Sequence, residues 1–283
     1  MLGPHAPKQC EYEYPFQTVG EFIDFCQALT RWGESGVYGF LPHMDSRPAA
    51  QMLLQSITVE ARQQMSFRQL EGLPAMVEWH EAGVPQAFAW TLLAPNIKGC
   101  PEENTHLVWQ NFPALNVTNN PSYNLTNSDD ASSQRADNST EPEEQHGSIK
   151  VQDDAPKPNF KAALNTNRTR LSEPGRTVEF AFEAPGKPVG PNNSYTTDTS
   201  TDGIPVFAAW ISQLNCTYTP LYDVSNGTAK TKQPGGYLWD ELNPMVNGTV
   251  FVVLTDLDLY LTPHNLSLIN DHVVAGPAIY QAG

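Results

Sequence analysis

The chain has 283 residues, and 40% of them are hydrophobic, which is enough to bury a core and excludes disorder throughout. The 31 acidic residues outnumber the 16 Lys and Arg residues and give a formal net charge of −15. This charge argues against nucleic acids and anionic membranes as partners, because both need a basic surface. No stretch approaches the roughly 18 consecutive apolar residues of a membrane-spanning helix, so we expect no membrane span.

Apolar residues recur at helical spacing in two long segments near the N-terminus. The first covers 18–41, and Pro42 ends it. The second begins at a cap on Asp45 or Ser46 and ends at Gly72. The sequence therefore predicts a helical hairpin in this part of the chain.

A short third helix opens at Pro85 and stops before Pro95, and after about residue 115 the pattern changes. Apolar and polar residues then alternate, as in half-buried strands, and Gly-containing turns separate the segments. The predicted strands are 178–183, 206–211, 218–222, 250–254 and 272–275, with turns at Asn226-Gly227 and Gly235-Gly236. This pattern predicts an antiparallel β domain that resembles a sandwich.

Two stretches contain few apolar residues, 119–158 and 186–203. Neither can bury enough surface to offset its ordering entropy, so we predict that both are mobile loops. We therefore expect an α+β protein with a helical portion over 1–115, an acidic linker over 116–174 and a β-rich domain over 175–283.

Asn-x-Ser/Thr triplets are the clearest chemical signal in the sequence. Nine of them occur, at Asn116, Asn124, Asn138, Asn167, Asn192, Asn215, Asn226, Asn247 and Asn265. This number favours a secretory route and N-linked glycans, with a composition rich in Asn, Ser and Thr as the alternative explanation. The first residues lack the basic and apolar parts of a signal peptide, so we expect this chain to be a fragment of a longer one.

Two carboxylates are predicted to point into the helical hairpin. Glu34 lies in a weakly polar run of the first helix, and Glu60 shares an inward face of the second helix with Gln63. A buried carboxylate is costly unless it is paired, protonated or bound to metal, and di-metal bundles use inward Glu residues and Glu-x-x-His motifs. The structural alternative is that both acids pair with Arg31, Arg62 or Arg68.

The sequence resembles the fungal stress-responsive, desiccation-related proteins that contain a ferritin-like domain. The resemblance covers about 8–116 and 175–283, and the segments that carry it are Cys10–Phe16, Gln51–Gln64, Gly83–Pro95, Trp109–Leu115 and Trp210–Thr219. It implies a ferritin-like bundle whose two earlier helices are absent from this chain. It also implies that Glu34 and Glu60 correspond to metal-ligand carboxylates, whereas Gln63, a poor ligand for iron or manganese, replaces a His.

Four cysteines allow three complete pairings, and the sequence alone does not decide among them. We predict a disulfide between Cys10 and Cys100, because it would clamp the two ends of the helical half. Cys26 lies among apolar neighbours in a helix and is expected to be a free thiol. The sequence assigns no role to Cys216.

Other possible sites are weaker. His80-Glu81 resembles the start of a zinc motif but lacks the second His, so we expect an exposed turn. Five aromatic residues could form a sugar-binding platform on the β domain, although a packed core is the commoner reason for aromatics on strands. These residues are Trp109, Tyr218, Tyr222, Tyr237 and Trp239.

We therefore expect a secreted or wall-associated fungal stress-response glycoprotein, without catalysis and without a cofactor. One alternative is a di-metal iron or manganese protein completed by helices outside this chain. Another is a module that binds cell-wall polysaccharide. The incomplete bundle also predicts that the chain can form a homo-oligomer through its helices.

Overall fold

The computed structural model describes residues 6–71, 75–121, 171–239 and 243–283. Its three helices all lie in the N-terminal part, at Val19–Phe40 (α1), Arg47–Leu70 (α2) and Gln86–Leu93 (α3). These bounds confirm the three predicted helices to within a few residues. None of the helices in the described residues has both the length and the apolar character of a membrane span.

Local capping explains where the two long helices begin. Thr18 and Glu21 form a capping box at the start of α1, in which each side chain bonds the backbone N–H of the other residue. The Ser46 hydroxyl accepts the Ala49 N–H at the start of α2, so Ser46 is the predicted cap that the structure uses. The two helices pack against each other as a hairpin.

Small residues bring α3 close to α1. A Cβ added to Gly36 would lie 2.9 Å from the Cβ of Ala89, and one added to Gly39 would collide with the Val84 carbonyl. The Val84 N–H also donates to the Ser35 carbonyl at 2.9 Å. The close approach fixes the segment before α3 along the last turns of α1.

Most of the strands lie after residue 115. In chain order they are Glu11–Tyr12 (β1), Ile97–Gly99 (β2), Leu115–Val117 (β3), Thr177–Phe182 (β4), Pro188–Val189 (β5), Tyr195–Thr196 (β6), Phe207–Ser212 (β7), Asn215–Pro220 (β8), Tyr222–Ser225 (β9), Thr228–Lys232 (β10), Thr249–Thr255 (β11) and Val273–Gln281 (β12). Two antiparallel sheets of four strands form a sandwich, with the orders β3-β4-β10-β9 and β12-β11-β7-β8. The α+β class predicted from the sequence is therefore confirmed.

The second sheet is buried on both faces. Trp210, Val252 and Tyr280 point towards the first sheet and form the sandwich core. Ile211 and Phe251 point the other way and pack in one cluster with residues of α3. All seven residues of β11 are buried, which explains why its sequence is a continuous apolar run rather than an alternating one.

The prediction that 186–203 is a mobile loop is wrong. This stretch contains the β5–β6 hairpin and the short 3-10 helix Pro191–Asn193. Tyr195 anchors it, because its ring packs on Trp90 at a centroid distance of 5.1 Å and its hydroxyl accepts the Leu107 N–H at 2.9 Å. The other predicted loop, 119–158, lies outside the described residues except for its first three.

Candidate functional site

Buried polar side chains of the helical hairpin form the candidate site. Gln27, Arg31 and Glu34 lie on one face of α1 and are at most 2% exposed. Gln64 and Arg68 lie on the facing side of α2 and are at most 3% exposed. We call this group, together with Glu71, Glu78 and Glu81, the buried polar cluster. Residues three or four positions apart share a helix face, so the spacing alone aligns the members on each helix.

Arg31 is the centre of the buried polar cluster. Its guanidinium lies 3.8 Å from the Glu34 carboxylate and 3.6 Å from the Glu78 carboxylate, and it forms a close ion pair with Glu81. A planar guanidinium has five N–H donors and can serve several carboxylates at once. One buried cation therefore holds three acids, one from its own helix and two from the segment between α2 and α3.

The buried polar cluster also joins the helices to the β sandwich. The Glu78 carboxylate accepts the Thr249 N–H of β11 at 2.9 Å. Arg68 donates to the Gly283 carbonyl at 3.0 Å, and the Gln281 amide donates to Gln27 at 3.4 Å. The end of β12 and the start of β11 thus cover the polar face of the hairpin.

Glu34 is a carboxyl group that titrates near neutral pH. Its pKa is raised from 4.5 to about 7, mainly by burial, while Arg31 acts to lower it and the negative charges of Glu60 and Glu78 act to raise it. Both of its carboxylate oxygens are buried and lack a hydrogen-bond partner among the described residues. The expectation that an Arg lies beside one of the two predicted acids is confirmed.

Two other acids of the buried polar cluster respond to burial in opposite ways. Burial raises the pKa of Glu71 well above its usual range, and the nearby Asp24 carboxylate acts in the same direction. Burial alone would also raise the pKa of Glu78, but Arg31, Arg68 and the Thr249 N–H outweigh it and lower the pKa. Glu78 is therefore biased towards its ionised form, whereas Glu71 is biased towards its neutral form.

Glu60 approaches α1 beside Glu34. Its carboxylate oxygen Oε2 lies 3.3 Å from the position that a Cβ on Gly33 would take, and the Ser56 hydroxyl donates to Oε1 at 3.2 Å. Its charge contributes to the raised pKa of Glu34. Gln63, in contrast, is exposed on α2. Because the axes of packed helices lie about 8–10 Å apart, we expect the carboxylates of Glu34 and Glu60 to lie within about 8 Å of each other.

The residues of this site do not fit a di-metal centre. Such a centre in a bundle needs inward Glu residues together with Glu-x-x-His motifs. Here Arg31 lies 3.8 Å from Glu34, and the prediction that Gln63 lies on an inward face in place of a His ligand is wrong, because Gln63 is exposed. Within the described residues, no three His, Cys, Asp or Glu side chains are grouped so that they could hold a metal ion. A guanidinium thus supplies the positive charge that a metal would supply.

Five members of the buried polar cluster were not predicted from the sequence, namely Gln27, Gln64, Glu71, Glu78 and Glu81. Glu78 and Glu81 lie in the predicted turn around His80, and the expectation that this turn is simply exposed is wrong for Glu81, which pairs with Arg31. His80 itself is exposed. The sequence signal that could have revealed the cluster is the spacing of Gln27, Arg31 and Glu34 in α1, which places these three polar residues on one helix face.

The cysteines behave largely as predicted. Cys10 and Cys100 form a disulfide with a Cα separation of 4.3 Å. Cys26 and Cys216 are free thiols. Burial raises the pKa of both, to about 12 for Cys216. Neither free thiol is therefore a reactive thiolate at neutral pH.

The Asn residues of the predicted glycosylation triplets differ in exposure. Asn116, Asn192 and Asn226 are exposed, and Asn215 and Asn265 are half-buried. Asn247 is buried, and its Nδ2 atom donates to the Val77 carbonyl at 2.8 Å. Asn124, Asn138 and Asn167 lie outside the described residues.

The aromatic residues of the predicted platform lie in different surroundings. Tyr218 packs edge-on against Phe207 in the sheet. Trp239 is exposed and contacts Trp79 and His80. Tyr222 and Tyr237 are exposed, and Trp109 lines a cleft between the helices and the sandwich.

Comparison with known proteins agrees with the helical hairpin. Residues 1–73 match the model of the ferritin-like domain family. The N-terminal part of this chain is therefore ferritin-like. The chain is also 53% identical over 286 residues to the protein rds1 of Schizosaccharomyces pombe, and the match covers 100% of this chain. It spans 66% of the length of that relative.

Proposed function

We propose that the protein is a secreted or wall-associated stress-response glycoprotein whose ferritin-like hairpin has a structural role and no redox metal. The similarity to rds1 and to the ferritin-like domain supports the stress-related family. The acidic, sugar-coated surface would hold water and resist aggregation, since a high net charge keeps proteins soluble. The desiccation-related role implied by the resemblance belongs to the same proposal.

The single observation that carries the proposal is the position of Arg31. Its guanidinium is 2% exposed and pairs with three carboxylates, including the acid that would be a metal ligand. A divalent cation beside Glu34 would have to approach this fixed positive charge, which is unfavourable in a buried site. The guanidinium, together with the raised pKa of Glu34, therefore reduces the negative charge of the hairpin interior without a metal.

Metal analysis of the purified chain tests this proposal. We expect dialysed protein to hold well below one iron or manganese per chain, and we expect added Fe²⁺ or Mn²⁺ to leave its melting temperature unchanged. Glu60→Gln should not alter the metal content, and Gln63→His should not create a site. Stoichiometric metal that Glu60→Gln releases would establish the di-metal alternative instead.

Glycan mapping tests the secretory part of the proposal. Protein from a secreting eukaryotic host should carry N-glycans on the exposed Asn116, and Asn116→Gln should lower its intact mass by one glycan. Asn247→Ala should leave the glycan mass unchanged, because Asn247 is buried and its amide nitrogen is bonded to Val77. It should instead destabilise the fold by about 1–3 kcal/mol, since it removes a partner from a buried carbonyl. Glycopeptides modified at Asn247, or an absence of glycan on every acceptor, would contradict this expectation.

A further inference from the structure

A cleft of about 400 Å³ lies where the helices meet the β sandwich. We call it the Trp109 cleft. Its walls come from the end of α1, the start of α3, the 108–110 loop, the β7–β8 turn and the segment 263–270. A volume of this size is typical of sites for small ligands. The cleft is open to solvent, because Val108 at its rim is 95% exposed and both His43 and His264 are exposed.

The charge of the Trp109 cleft favours a neutral ligand. No Lys or Arg is among its described lining residues, so it lacks the fixed cation that an anionic ligand needs. Its one carboxylate, Glu81, is already paired with Arg31 and offers little to a cationic ligand. The remaining polar groups are amides, imidazoles and hydroxyls, which can donate and accept hydrogen bonds.

Hydrogen-bond acceptors in the cleft suit hydroxyl groups of a ligand. The Oδ1 atom of Asn270 is buried and has no partner within the described residues. The amide nitrogens of Gln86 and Gln110 donate to the carbonyls of Gly36 and Asp198, so their side chains are held in place. Because the Asn270 Oδ1 atom is shielded from solvent, a ligand hydroxyl reaches it only when the Asn270 side chain turns towards the cleft, and that turn gives the unpaired acceptor a donor.

Trp109 adds an apolar surface to this polar cleft. It is 39% exposed and lies next to the fully exposed Val108 on a loop. The face of an indole ring carries negative charge density and attracts the weakly positive C–H groups of a sugar ring. An exposed indole beside fixed amides is thus suited to a ligand that has both an apolar face and many hydroxyls.

We infer that the Trp109 cleft binds a neutral oligosaccharide, with Trp109 stacking on a sugar ring and Asn270 accepting a hydroxyl. This inference rests on the proposed function in one respect only. If the protein is extracellular, wall polysaccharide would be the source of the ligand. The binding chemistry itself depends on the cleft alone. The two proposals can therefore fail separately, because metal content and glycan occupancy do not report on sugar binding.

Calorimetric titration of the folded chain, with its own N-glycans trimmed, tests the inference. The probes are cellopentaose, laminaripentaose, mannopentaose and chitopentaose, with pentagalacturonate as an anionic comparison. We expect at least one neutral pentasaccharide to bind in the micromolar to millimolar range. Trp109→Ala should weaken that binding by about tenfold or more, as truncation of an aromatic anchor does. Trp109→Phe should retain most of it, and Asn270→Ala should weaken it several-fold.

Trp239→Ala is the matched control, because Trp239 is similarly exposed, at 53%, and does not line the cleft. Each variant is first compared with the unmodified chain by thermal unfolding, so that a loss of binding is not a loss of folding. The inference is overturned if no neutral probe binds, or if only pentagalacturonate binds. It is also overturned if Trp239→Ala weakens binding while Trp109→Ala does not, since that result places the sugar on the Trp79–Trp239 surface.

Discussion

Arg31→Met should lower the free energy of unfolding by about 3–5 kcal/mol near pH 8, the usual cost of removing one partner from a buried ion pair. Met fills much of the volume of the Arg side chain, so the loss comes from charge rather than from a cavity. Without the guanidinium, Glu34, Glu78 and Glu81 lose their shared cation, and Glu34 is fully buried. Urea unfolding followed by circular dichroism measures the effect.

The loss caused by Arg31→Met should shrink at low pH. Arg31 favours the ionised forms of Glu34 and Glu78. The part of its contribution that involves Glu34 is lost as the pH falls through the folded pKa of about 7, whereas the part that involves Glu78 is present above 4.5 and is lost only as the pH falls through the lowered folded pKa of that group. In the unmodified chain, the burial of the Glu34 carboxyl affects stability in the opposite direction as the pH rises. Its folded pKa of about 7 lies above its unfolded value, so its burial destabilises the protein progressively as the pH rises from 4.5 to 7. The difference between variant and unmodified chain should therefore be smaller at pH 4.5 than at pH 8, and the part that remains at pH 4.5 includes the Glu78 pair.

Arg62→Met is the matched control, because Arg62 is exposed on α2 and is not part of the buried polar cluster. A surface substitution of this kind should change stability by no more than about 0.5 kcal/mol. Arg31→Lys should fall between the two, since one ammonium cannot serve three carboxylates as a guanidinium does. An equal loss for Arg31→Met at both pH values would mean that packing, not charge, accounts for it.

Local signals made the helices and the second sheet, β12-β11-β7-β8, predictable from the sequence. Caps and prolines mark the ends of α1, α2 and α3, and those signals act within a few residues. The continuous apolar run of β11 is equally clear. β10 was missed because Thr228–Lys232 contains one apolar residue, Ala229, and depends on pairing with β4 for its strand conformation. Tertiary pairing of this kind leaves no local pattern.

The candidate site was predictable only in part for the same reason. The helical spacing places Arg31 and Glu34 on one inward face, so their pairing follows from the sequence. Glu78 and Glu81 reach Arg31 from a segment more than 40 residues away, and no periodicity connects them to it. The contacts of Gln27 and Arg68 with the end of β12 cross more than 200 residues. Only the folded chain brings these groups together.

The Cys10–Cys100 disulfide should provide the other large contribution to stability. The two residues are 90 positions apart, and closing a loop of that length restricts the unfolded chain by about 4–5 kcal/mol in the chain-entropy model. In the folded chain the bridge joins β1 to β2, which are only two and three residues long. It also packs with Trp90, Ala94 and Ile97 in a small apolar cluster.

The Cys10→Ser/Cys100→Ser double variant should therefore unfold with a free energy about 4–5 kcal/mol lower than that of the unmodified chain. Dithiothreitol should destabilise the unmodified chain by a similar amount and leave the double variant unchanged. Cys26→Ser is the matched control, because Cys26 is a free, half-buried thiol, and its substitution removes no covalent link. If the free energy of unfolding falls by less than about 1 kcal/mol in the double variant, the packing of α1 against α2 and α3 already closes the loop in the unfolded state. In that case the chain-entropy estimate does not apply to this protein, because the unfolded state retains that helical contact.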